Sequence, residues 1–133
     1  MCIRDRVTYT WQRVVSQTPS GDAGYAVYSD CKLGEGVSED DFYNAYKTYA
    51  KAARELGDVA GRKMILPISG VPSTWDYDFV QLVTTETIAD YGKNWTNFWS
   101  QATGESMPEL KALQDLGGSC ENERTYGIVP VRN

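Results

Sequence analysis

Asp76-Tyr-Asp-Phe-Val-Gln-Leu-Val-Thr-Thr85, followed by Ile88, Tyr91, Trp95, Phe98 and Trp99, carries the chain's clearest switch from strand to helix periodicity. Its first half is rich in β-branched and aromatic residues, which suit a pleated surface. Tyr77, Phe79, Gln81 and Val83 fall on one face, and Asp78, Val80, Leu82 and Thr84 on the other. Both faces carry bulky apolar groups, the pattern of a strand covered on both sides. After Thr85 the apolar residues recur at helical spacing, which predicts a helix with Thr85 as its N-cap. One strand therefore feeds one helix, and the other elements have to complete a sheet around them.

Working outward from this stretch, Arg62 to Ser69 predicts a strand with Met64, Leu66 and Ile68 on one face and Ile65 and Pro67 on the other. Pro67 has no N–H to give to a ladder, so the strand is expected at an edge or bulged there. Before it, Ser38-Glu-Asp-Asp41 resembles a capping box with acidic residues in the first turn, where the helix dipole favours them. Phe42, Tyr46, Tyr49, Ala53 and Leu56 then form a buried stripe, and Gly57 supplies the stop. Tyr25 to Leu33 is a strand with Val27, Ser29 and Cys31 on one face, and Val7 to Val15 alternates as another. Pro19-Ser-Gly-Asp22 and Gly24 make the loop between them. Downstream, Ser106-Met-Pro-Glu109 opens a short helix carrying Leu110, Leu113 and Leu116, stopped by Gly117-Gly118. Thr125 to Val131 reads as the last strand.

The 133 residues suffice for one domain with a real core. Nine Tyr, four Trp and three Phe within 41% hydrophobic residues argue against disorder. A net charge of −5 disfavours a nucleic-acid partner, since phosphates need a basic face. No apolar run approaches the ~18 residues of a membrane span. Met1 to Arg6 resembles a translated sequencing-adapter leader of the kind found on environmental, bacterial reading frames. On that reading residues 1–24 are a non-native leader, an N-terminal strand and a loop, and 25–133 are the domain proper.

From Tyr25 onward the order is strand, helix, strand, strand, helix, short helix, strand. This is the βαββαβ order of the ferredoxin-like fold, an α+β class with both helices on one face of the sheet. The chain resembles the dimeric α/β-barrel superfamily in this element order and in its aromatic content. That superfamily includes small cofactor-independent monooxygenases, haem-handling proteins and accessory proteins of ether degradation. The resemblance implies self-association through the other sheet face, expected here to be apolar, or a preceding repeat in the same chain. Val7 to Val15 is then either the last strand of such a repeat or an added edge strand.

The sequence contains no histidine. That excludes Ser–His and Cys–His nucleophilic pairs and His-ligated haem, zinc or iron within this chain. No metal and no cofactor is expected, and no catalytic residue is identifiable. Gly34-Glu-Gly36 completes no phosphate-cradling motif. Glu39, Asp40 and Asp41 are a solvated first turn. Asp76 and Asp78 are either exposed polar residues at a strand start or polar groups at a barrel mouth. Asn94-Trp-Thr96 matches a glycosylation sequon but lies in a helical pattern.

Tyr28, Tyr77, Phe79, Trp95 and Trp99 are either ordinary core or the walls of a pocket for a flat, apolar small molecule, with Gln81 and Arg124 as orienting groups. Two functions follow: a binding or accessory domain, or a cofactor-independent monooxygenase-like enzyme acting on an aromatic substrate. A dimerisation domain without ligand is the third. Finally, the first and last strands of a βαββαβ sheet are antiparallel neighbours. Cys31, near the end of one, and Cys120, just before the other, are thus expected within bridging distance. A disulfide there points to a periplasmic or secreted protein, free thiols to a cytoplasmic one.

Overall fold

The computed structural model of the chain describes residues 10–68, 71–101 and 107–129. It is an α+β domain with five strands and three helices: β1 (Thr10–Ser16), β2 (Tyr25–Leu33), α1 (Glu39–Glu55), β3 (Gly61–Pro67), β4 (Phe79–Thr85), α2 (Ile88–Gln101), α3 (Pro108–Asp115) and β5 (Gly118–Gly127). The strands form one antiparallel sheet in the order β1-β3-β4-β2-β5. Strand β4, which precedes the switch to helix periodicity, is therefore its middle strand.

Register sorts the side chains. Trp11 and Arg13 pair with Leu66 and Met64 of β3, and Val15 follows on the same face at the irregularity between Val14 and Ser16. With Cys31, Phe79, Gln81 and Val83 they form the face that the helices cover. The core lies between this face and α1 and α3: Cys31, Phe42, Tyr46, Tyr49, Ala53, Met64, Phe79, Met107 and Leu110 are buried together. The other face carries Tyr28, Val80, Leu82 and Ile65, but Asp30, Lys63, Thr84 and Arg124 interrupt them. It is a mixed surface rather than the apolar one expected.

Helix α1 follows the expectation closely. The Ser38 hydroxyl accepts the Asp41 N–H at 3.1 Å. At the other end the Gly57 N–H donates to the Arg54 carbonyl and the Asp58 N–H to that of Ala53. This Schellman pair requires Gly57 at φ +98°, a region open to glycine at no cost. Leu56, placed on the buried stripe, is instead 48% exposed, because it is the C-cap residue where the helix ends.

Three expectations need correction. Thr85 does not cap α2: it stays extended as the last residue of β4, opposite Tyr25. Thr87 caps instead, its hydroxyl accepting the Asp90 N–H at 3.0 Å. Strand β3 is not an edge; it lies between β1 and β4, and Pro67 is tolerated because pairing with β4 stops at Ile65. Strand β5 begins at Gly118, not Thr125, so Cys120 lies inside it. Helix α3 has Met107 at its cap position with no side-chain hydrogen bond; Ser106, expected to cap it, lies outside the described residues, as do Met1 to Arg6.

Strand β1 lies at one edge of the sheet, antiparallel to β3. Arg13 holds it to α1: its guanidinium donates to Glu39 at 2.8 Å and Asp40 at 2.6 Å and lies 3.7 Å over the Tyr43 ring. At the opposite edge, Cys31 and Cys120 are direct cross-strand partners with Cα atoms 4.1 Å apart, and they form a disulfide. The expected bridge is present. Among the described residues no helix is long and apolar enough to cross a membrane.

Candidate functional site

The described residues do not fill the space between the sheet and the three helices. A cavity of about 360 Å³ lies there, within the range of small-molecule sites. Val27, Val83, Phe42, Ala53, Phe98, Met107 and Leu110 give it an apolar wall, and Trp95 contributes an aromatic one. Helix α2 is the loose side. Ile88, Trp95 and Trp99 on its expected stripe are 53%, 49% and 65% exposed, so this helix covers the sheet without sealing it.

The polar groups in the wall come from all layers. Strand β2 presents Ser29 and β4 presents Gln81 and Thr85. Arg62 stands where β3 alternates toward the helices, in series with Met64 and Leu66. Its two Nη atoms donate to both carboxylate oxygens of Asp58, at 2.5 and 2.9 Å. Both side chains are nearly buried, at 9% and 13% exposure. Burial works against the Arg62 charge, yet the hydrogen bonds and charge of Asp58, together with the neighbouring Tyr46 and Tyr49, outweigh it and hold the guanidinium above its usual value. The pair is thus a neutral unit, and it also lies 5.4 Å from the Tyr49 ring centre.

Two polar atoms in this wall have no partner among the described residues. Tyr46 is 3% exposed, and its hydroxyl is buried without a hydrogen bond. Burial pushes that hydroxyl well up from 10, with the Arg62 charge opposing, so it stays protonated. Asn94 accepts the Val59 N–H through Oδ1 at 3.3 Å, which fixes the orientation of the amide and leaves Nδ2 buried with nothing to donate to. That buried contact also makes Asn94 a poor glycan acceptor. A β-bulge brings the last group: Ser29 faces two residues of β5, where Asn122 takes φ +58°. Glu123 thereby turns to the cavity side and accepts the Tyr91 hydroxyl at 3.3 Å.

The pocket residues expected from the sequence divide between the two faces. Phe79 is in the core, Gln81 and Trp95 line the cavity, and Trp99 stacks edge-on against Trp95 at 5.7 Å outside it. Tyr28, Tyr77 and Arg124 belong to the open face. There Arg124 donates to Asp30 at 3.2 Å, Asn122 Nδ2 donates to Asp30 and to the Tyr77 hydroxyl, and the Tyr77 hydroxyl donates to Glu121 at 2.9 Å. Asp76 and Asp78 close a strand end: Asp76 pairs with Lys32 at 2.9 Å and Asp78 accepts the Leu33 N–H at 2.7 Å. Both are exposed.

Sequence reading missed Tyr46, Asp58, Arg62 and Asn94 as site residues. A signal existed for two of them. Tyr46 puts a hydroxyl on a stripe that Phe or Leu would fill, and Arg62 puts a charge in phase with Met64 and Leu66. Among the described residues no group of three or more Cys, Asp or Glu side chains could hold a metal ion. No family model, curated protein or solved structure matches the chain.

Proposed function

We propose that this chain is a ferredoxin-like domain, extended by β1, that binds a small apolar molecule between its sheet and helices. Without β1 the sheet reads β5-β2-β4-β3, which in the numbering of a βαββαβ unit is 4-1-3-2. That order supports the fold assignment. The binding reading is carried by one observation: a cavity between the sheet and the helices, beside a core where close packing is the rule, with polar atoms in its wall that have no partner among the described residues.

Binding without chemistry is the better-supported role. A catalytic acid or base needs a pKa drawn toward neutrality. In this wall Tyr46, Tyr49 and Arg62 are all pushed away from it. The Cys31–Cys120 disulfide is compatible with an oxidising compartment and supports export to the periplasm or beyond.

The test uses 1-tetralone and tetralin as probes, with tryptophan fluorescence as readout because Trp95 is in the wall. Saturable binding of at least one probe is expected, with loss of at least tenfold in affinity in Val83→Phe, which fills the cavity from β4. No binding by the native protein, or binding indifferent to Val83→Phe in a variant with native circular dichroism, would sink the proposal.

A further inference from the structure

The wall's hydrogen-bonding inventory restricts what the cavity takes. Tyr46 offers a buried hydroxyl and Asn94 a buried amide N–H, neither with a partner among the described residues. Both can donate, so the complementary ligand atom is an acceptor oxygen. Its charge is restricted as well. Arg62 is the buried cation of the wall, and Asp58 already occupies it with two parallel hydrogen bonds. An anion would have to displace Asp58 or sit unpaired in an apolar site, and either is costly. Glu123, at the mouth beside Tyr91, adds a negative charge that repels anions further. A cationic amine has protons to give but no acceptor for Asn94 Nδ2. Apart from Ser29, Gln81 and Thr85 on the sheet, most of the remaining wall is apolar and partly aromatic, which favours flat rings.

We infer that the ligand is an uncharged, largely apolar ring compound bearing a carbonyl-type oxygen, and that Tyr46 Oη is the group that fixes it. This rests on the cavity-binding reading above and adds the ligand's class and its anchor. Tyr46 is a selectivity residue here: its ring packs into the core whether or not a ligand is present, and only its oxygen discriminates.

The experiment compares 1-tetralone, its hydrocarbon counterpart tetralin and the anion 1-naphthoate on the native protein and on Tyr46→Phe. The ketone is expected to bind the native protein about three- to tenfold more tightly than tetralin, the worth of one neutral hydrogen bond. Naphthoate should bind more weakly than the ketone. In Tyr46→Phe the ketone should lose its advantage while tetralin binds as before, which also shows that the cavity is intact. Equal affinities for ketone and hydrocarbon in the native protein would overturn this inference and leave cavity binding standing. Naphthoate binding as tightly as the ketone would overturn the uncharged class. If none of the three bound, the inference and the reading beneath it would fall together.

Discussion

Tyr46 and Tyr49 each differ from phenylalanine by one oxygen, and those oxygens govern how the domain meets alkali. Burial raises both hydroxyls above 10, with the Arg62 charge partly opposing. A group raised in the folded state keeps its proton there after the unfolded chain has released it. Stability is then undiminished below pH ~10 and falls as pH rises further. The urea midpoint should accordingly decline above pH ~10, and less steeply in Tyr46→Phe; a native midpoint level up to pH ~11 would contradict this. That Tyr46 lies on a buried stripe was legible in the sequence. That its hydroxyl would find no partner among the described residues was not, because the answer depends on what α2 and α3 bring across from far along the chain. Thr85 teaches the same lesson: its residue type suits a cap, but pairing with Tyr25 keeps it in the strand.

Among the elements, α1 was the most legible because its signals are local: Ser38 before it, an acidic first turn, and Gly57 after it. Ser38→Ala removes the acceptor for the Asp41 N–H and should cost ~1 kcal/mol, measured by urea unfolding; an unchanged midpoint would show that the cap carries no weight. Strand β5 was the least legible. Gly118-Ser-Cys-Glu-Asn-Glu123 has neither alternation nor β-branched residues, and almost every residue of β5 is exposed. It is a strand because β2 supplies a backbone template, and no propensity reading can see a template. Pro67 misled for a related reason. Proline is barred from a ladder position, not from a strand whose ladder on that side has already ended.

At the scale of the whole molecule, the α+β class and the Cys31–Cys120 pairing could be read in advance, since both cysteines were expected on neighbouring antiparallel strands, as they are. The cavity could not, because every residue around it also suits a filled core. The disulfide closes a loop of 89 residues, worth roughly 4–5 kcal/mol in the chain-entropy model. Unfolding in urea with reductant should show a loss of that order, and a loss below ~1 kcal/mol would mean that the reduced unfolded chain is already compact. The two edges of the sheet are therefore unequal. Strand β1 is attached by one ladder, the Arg13 contacts and packing, so it can peel away reversibly. Strand β5 cannot leave β2 without a chemical reaction. A protease cutting the exposed loop at 19–22 would release a free flap still anchored only by weak bonds. One cutting at Gly117 would leave a nicked protein whose last strand stays in its place, so the fold has one soft edge and one hard one, and wear begins at the soft side.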